Sequence, residues 1–157
     1  MTTPSIALRL GLAFAMASWI AGCTSTPQAS REHDAEAKQF TTHPNTSTLY
    51  VYRNDFASAF SEDSVLFVNG RLVGSTLPKT FFRLNLRPGT QLLQGMAADN
   101  GRLAISTRPG EVYFVSLSVI GGQSHFFLVR PETGRKTLTA CCELLENWAP
   151  GQRPLLR

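Results

Sequence analysis

Asn69-Gly70 lies between two apolar runs, Ser64-Val-Leu-Phe-Val68 and Arg71-Leu-Val-Gly74. A two-residue hairpin turn needs positive φ at both central positions, which Asn and Gly adopt most readily, so the dipeptide predicts a tight antiparallel pair. The rest of the chain repeats this alternation of short strand and turn. Leu49-Tyr-Val-Tyr-Arg53 is aromatic and β-branched with a period of two, and reads as the first strand with one face buried. Thr80 to Leu86 sets Phe82, Leu84 and Leu86 on one face and Phe81, Arg83 and Asn85 on the other. Arg87-Pro88-Gly89-Thr90 turns the chain, Pro88 presetting φ and Gly89 taking a positive-φ position. Gln91–Met96 and Arg102–Thr107 follow as strands about the turn Asp99-Asn100-Gly101. Pro109-Gly110 opens the longest apolar strand, Glu111 to Ile120, and Gly121-Gly122 folds it onto Ser124–Arg130, a pair predicted to be central. Asn54 to Asp63, with Phe56 and Phe60, does not alternate and reads as a loop or a short helical turn.

Turn signals about eight to twelve residues apart, with strands on both sides, predict a mainly β fold. The architecture they favour is a small antiparallel β-sandwich of about seven strands joined as meanders. From Thr137 the apolar period changes. Leu138, Cys141, Cys142, Leu145 and Trp148 recur at helical spacing and predict a short C-terminal helix packed on the sandwich. Pro150-Gly151 ends it and leaves residues 150–157 as a frayed tail.

The N-terminus carries an address. After Arg9 the chain runs through an apolar segment, Leu10 to Ile20, too short to serve as a permanent membrane span. It ends Ile20-Ala21-Gly22-Cys23, which resembles the lipobox of bacterial lipoproteins. The small residues Ala21 and Gly22 give a peptidase access to the backbone, and the Cys23 thiol accepts a diacylglycerol before becoming the new N-terminus. At about 0.8 kcal/mol per buried methylene, the acyl chains on such a residue anchor a protein without spanning the bilayer. Thr24 stands where aspartate would, by resemblance to the sorting rule of enteric lipoproteins, retain the chain in the inner membrane. In a Gram-negative host the outer membrane, facing the periplasm, is then the expected site. Residues 1–22 read as the signal peptide, 23–47 as a polar, disordered tether, and 48–149 as the domain. At roughly 5 to 6 Å times the square root of its length, such a tether places the domain a few nanometres from the bilayer.

Charge argues against nucleic acid. Fifteen Lys and Arg against eleven Asp and Glu give +4, but the basic residues are scattered from Arg31 to Arg157 rather than gathered on one face. Catalytic patterns are equally sparse. His33 and His43 fall in the tether and His125 on a strand, so no histidine pair has zinc-site spacing, and neither a metal nor another cofactor is expected. Glu62-Asp63, Asp99 and Glu111 lie at or beside turns, where acidic residues usually cap and solvate. No Gly-x-Ser-x-Gly elbow occurs. His125 reads as a buried or cross-strand residue, and Phe81 and Phe56 as core rather than an exposed aromatic patch. Cys141-Cys142 remains as the unusual pair, in a compartment where disulfides persist. Reduced core thiols, a vicinal disulfide, a bridge to a second chain and a metal contact all stay open.

Tyr50-Val-Tyr-Arg53, Val65 to Gly74, Leu86-Arg-Pro-Gly89 and Gly110-Glu-Val-Tyr-Phe-Val115 together resemble an uncharacterised domain family of short bacterial lipoproteins. They are similar to PEGA-type and transthyretin-like sandwiches. The resemblance covers about Thr48 to Arg130 and consists of strand and turn signatures, so it implies a fold and no catalytic residue. The function expected is that of a membrane-anchored, non-catalytic envelope lipoprotein, binding another envelope protein or a glycan. The alternative is an enzyme or glycan-processing module with a dispersed site.

Overall fold

The Asn-Gly turn forms as expected. In the computed structural model, which describes residues 26–54, 64–95 and 101–146, Asn69 and Gly70 take φ of 53° and 74°. They join β2 (Ser64–Val68) to β3 (Arg71–Thr76) with Val68 opposite Arg71. Gly121 and Gly122, at 59° and 74°, likewise join β7 (Val112–Ile120) to β8 (Gln123–Val129). Between these hairpins lie β4 (Thr80–Leu86), β5 (Gly89–Gln94) and β6 (Arg102–Thr107). Before them come α1 (Arg31–Ala37) and β1 (Ser47–Arg53); after them, α2 (Pro131–Cys141) and β9 (Glu143–Leu144). The signal segment with Ile20, Ala21, Gly22 and Cys23, the acidic residues Glu62, Asp63 and Asp99, Phe56, Phe60, Trp148 and the tail 150–157 lie outside the described residues.

The strands make a mainly β structure of two sheets, in the orders β8-β7-β1-β4-β9 and β3-β2-β5-β6. Between them lies the larger core, with Leu49, Val51, Phe82, Leu84 and Val115 from one sheet and Leu66, Val68, Val73, Leu93 and Ile105 from the other. Fully burying each such side chain contributes about 1.5–3 kcal/mol. The purely antiparallel meander is corrected. The turns after β3, β4 and β6 cross between sheets instead of folding a strand onto its neighbour, so β1 meets β7 in parallel, and α2 carries the chain from β8 across the same sheet, so that β9 meets β4 in parallel. The Arg87-Pro88-Gly89 turn makes one of these crossings: β4 pairs with β1, and β5 with β2 and β6.

β1, not the β7–β8 hairpin, occupies the centre, and β8 is an edge. All seven residues of β1 are buried because both of its faces are covered. Leu49 and Val51 enter the inter-sheet core, while Tyr50 and Tyr52 enter a second core beneath the helices with Phe81, Phe114, Ala37 and Leu138. Strands buried on both faces read as continuous apolar runs, as Leu-Tyr-Val-Tyr does.

The C-terminal helix exists but lies earlier than its apolar spacing predicts. Pro131 opens it, where its missing N–H costs nothing and its fixed φ suits the first turn. It ends at Cys141, and Leu145 leaves the helical face to donate its N–H to the Phe81 carbonyl at 2.8 Å. Gly134 lets the helix pack against β7, since a Cβ there would overlap the Phe114 ring.

The stretch read as a disordered tether is also corrected, from Thr26 onward. Ser30 caps α1 by accepting the His33 N–H at 3.2 Å. A helix of this length is marginal alone, but this one is docked. Ala37 is buried, the Tyr50 hydroxyl donates to its carbonyl at 2.6 Å, and Asp34 Oδ1 accepts the Leu144 N–H at 2.9 Å. Phe40, at φ 54°, then places its ring edge-on to Tyr50 and Phe114, with centroids 5.3 and 5.6 Å apart.

Candidate functional site

Thr26 to Ala29 lies across the side of the sandwich where β3 and β9 end their sheets. Gln28 bridges Leu145 in antiparallel fashion, flanked by bonds from the Ala29 N–H to the Leu144 carbonyl at 2.9 Å and from the Glu146 N–H to the Pro27 carbonyl at 2.8 Å. Thr26 Oγ1 accepts the Ser75 N–H at 2.8 Å and donates to the Ser75 carbonyl at 3.0 Å. One short segment therefore satisfies edge groups of both sheets. Gly74 makes room for it, because a Cβ at that position would lie 2.9 Å from Thr26 Oγ1 and 3.1 Å from Phe82 Cζ.

Around this segment open two neighbouring hollows. The larger, about 520 Å³, is lined by Thr26 and Gln28, by Pro78 and Lys79 of the β3–β4 turn with Thr80 at the start of β4, and by Cys141 at the end of α2 and Glu143 of β9. The smaller, about 420 Å³, shares Gln28 and Glu143 and extends to Arg31 and Asp34 of α1. Gln28 Nε2 donates to Glu143 Oε2 across their common wall. Lys79 is held at φ 57°, its N–H donated to the Arg53 carbonyl at 2.7 Å and its carbonyl accepting the Glu143 N–H at 3.0 Å. These volumes match small-ligand pockets. Amide, hydroxyl, ammonium and carboxylate groups around Leu77, Pro78 and Leu145 suit an occupant rich in hydrogen-bonding groups, such as a sugar or a peptide segment.

Cys141 and Cys142 are joined in a vicinal disulfide at the wall of the larger hollow. Of the states left open by the sequence, the structure thus holds the one in which both sulfurs are spent within the chain. Cys142 is buried, its Sγ 3.9 Å from the Arg53 carbonyl oxygen, while Cys141 is half-buried at the cavity. Arg53 itself is the bulkiest of the fully buried side chains and places Nη1 3.4 Å from the Thr76 carbonyl.

The remaining candidates do not converge on this place. His125 is exposed on β8 opposite Ser118, and His43 is exposed. His33 Nδ1 stands 3.3 Å from Glu146 Oε1 at the surface. Glu111 accepts the Tyr113 hydroxyl at 2.6 Å beside its turn, and Phe81 is core. Burial pushes the Tyr50 phenol above its ordinary value of 10.0, against the opposing pull of the Arg83 guanidinium. Burial does the same at Tyr52, where hydrogen bonds with Thr137 and Ser116 oppose it. Among the described residues no cluster of three or more His, Cys, Asp or Glu side chains could hold a metal ion.

Thr26, Gln28, Lys79 and Glu143 escape sequence reasoning. A single β-bridge leaves no periodicity to detect, and the positive φ of Lys79 falls on a residue type that carries no turn preference. The fold and site together define a two-sheet β-sandwich with a disulfide-walled groove at one side. Compared with known protein families, curated proteins and solved structures, the chain matches none.

Proposed function

We propose that this is a lipid-anchored envelope protein whose sandwich binds another envelope component, a glycan or a protein segment, in the groove beside the Cys141–Cys142 disulfide. The Ile20–Cys23 lipobox supports the anchor. The observation that carries the binding role is the groove itself, built where the N-terminal segment crosses from β3 to β9 and lined by convergent polar groups. Thr26 is docked only three positions after Cys23. At about 3.3–3.6 Å per extended residue, lipid on Cys23 would hold the groove roughly 10 Å from the membrane surface, not nanometres away. The binding surface then works at the bilayer, where a membrane-proximal glycan or the juxtamembrane part of another protein is in reach.

Two measurements test the two halves. Cells given an alkyne-bearing palmitate analogue should label the wild-type chain and not Cys23→Ala; an unlabelled wild type would end the lipoprotein reading. A photo-crosslinking residue at Pro78, on the lip of the groove, should capture one reproducible envelope component, and the same residue at exposed Ala104 should not. Equal capture at both positions would refute the groove as the binding site.

A further inference from the structure

Cys141 and Cys142 are neighbours in the chain, so the disulfide between them closes almost no loop. A disulfide stabilises a fold mainly by constraining the unfolded chain, and more so the longer the loop it closes. Holding distant parts of this domain together is therefore not the role of the bond. Consecutive Cα atoms stand about 3.8 Å apart across a trans peptide. Most disulfides span roughly 4.4–6.8 Å between Cα atoms, and a misfit to that span makes the bond more reducible.

The two sulfurs differ in access. Cys141 is half-buried and lines the larger hollow, whereas Cys142 is buried in the second core with Tyr52, Phe81 and Leu138. Cys142 Sγ lies 3.9 Å from the Arg53 carbonyl oxygen, which is placed to accept an S–H. Backbone bonding passes from helix to sheet at the same pair. The Cys142 N–H makes the last helical bond, to the Leu138 carbonyl at 3.1 Å, and the Glu143 N–H makes the first sheet bond, to the Lys79 carbonyl at 3.0 Å. Opening the disulfide breaks none of these bonds and leaves Cys142 packed, so the fold survives without it.

We infer that Cys141–Cys142 is a redox centre that takes two electrons from a dithiol reaching it through the larger hollow. One thiolate of the dithiol attacks Cys141 Sγ. A mixed disulfide forms as the Cys141–Cys142 bond breaks, and Cys142 Sγ leaves with the electron pair, takes a proton and turns the new S–H toward the Arg53 carbonyl. Access decides which sulfur is attacked, and only Cys141 borders the hollow. The second sulfur of the dithiol, having lost its proton, then displaces Cys141, which leaves as a thiolate and is protonated. The pair ends as two thiols and the dithiol as a disulfide, so two electrons and two protons have moved and no other reductant is needed. An oxidised partner reverses the exchange. The centre shares a wall with the proposed binding groove, but it requires neither a lipid on Cys23 nor an occupant of the groove.

The test uses the full chain carrying Cys23→Ala, which leaves Cys141 and Cys142 as its only cysteines. Reduced dithiothreitol, added without denaturant, should convert the pair to two thiols, read as two alkylated cysteines by intact mass after an acid quench. Circular dichroism of the reduced chain should remain that of the oxidised one, and oxidised glutathione should restore the bond. In the same background, Cys142→Ser leaves Cys141 at the hollow and Cys141→Ser leaves Cys142 in the core. The first should react with iodoacetamide on the order of tenfold or more faster than the second, and the two should label alike once unfolded in urea. Reduction only at urea concentrations that unfold the chain, loss of the native fold on reduction, or equal labelling of the two folded variants would overturn the redox centre.

Discussion

Gly134 and Tyr50 show how single residues set the helical layer against the sheet. Any side chain at Gly134 meets the Phe114 ring, which is itself stacked on Tyr50 at 5.1 Å and cannot yield without moving it. Gly134→Ala would ordinarily favour a helix, yet here overpacking should destabilise the protein by about 1–3 kcal/mol, read as a lowered urea midpoint with unchanged m-value. The Tyr50 hydroxyl is tied to the Ala37 carbonyl, so Tyr50→Phe should cost about 0.5–1.5 kcal/mol at neutral pH. Tyr50 and Tyr52 also give the fold an alkaline limit. Their folded values lie above the unfolded value near 10, so the protonated phenols belong to the folded state. Their contribution is complete below about pH 10 and falls as pH rises through the higher folded values. Denaturation midpoints measured from pH 8 to pH 11 should decline at the alkaline end, and Tyr50→Phe should flatten that decline. Neither residue was legible in this role from sequence. Tyr50 read as one face of a half-buried strand, and Gly134 lay before the helical spacing that begins at Thr137, because what covers them comes from segments distant in the chain.

Among the elements, the β2–β3 hairpin was the most legible and α1 the least. Asn69-Gly70 acts through its own backbone dihedrals, a local property that sequence reports directly. Its side chain does something the turn rule does not predict: Oδ1 accepts the Leu92 N–H at 2.9 Å and Nδ2 donates to Gln91 Oε1 at 2.7 Å. These bonds extend the β2–β5 ladder, where only Phe67 and Val68 find partners. Asn69→Ala should therefore cost more than the turn alone would, about 1–3 kcal/mol, while Asn69→Gly keeps the turn and loses only the side-chain bonds. The difference between the two variants in thermal unfolding isolates the φ preference. α1 was hidden because what docks it, the bonds with Tyr50 and Leu144, comes from segments distant in the chain. The helix α2 was legible as a type and misplaced in position. Apolar spacing continues through Cys142 and Leu145, but those residues serve the second core and the β4–β9 pairing after the helix has ended.

At the scale of the whole molecule, Thr26 to Ala29 makes the two sheets and the N-terminal segment into one mechanical unit. Turn spacing alone could tell that two sheets would form; it could not tell that a polar segment before the first strand would join their edges, since each bond involves one residue and leaves no pattern. The consequence is cooperative. Thr26 holds Ser75 in one sheet, and two residues later Gln28 holds Leu145 in the other. Loosening the first contact should release the second. Thr26→Val keeps the shape of the side chain and removes both hydroxyl bonds to Ser75. Hydrogen exchange by mass spectrometry should then show faster exchange at Ser75, on β3, together with faster exchange at Ala29 and Glu146, whose amides bond across the N-terminal bridge. Core amides such as those of Val51 and Val115 should be unchanged. Gly74→Ala should produce the same signature by pushing on Thr26 from the other side. Faster exchange confined to Ser75 would mean that the two edges are held independently and that the groove between them does not respond as a unit.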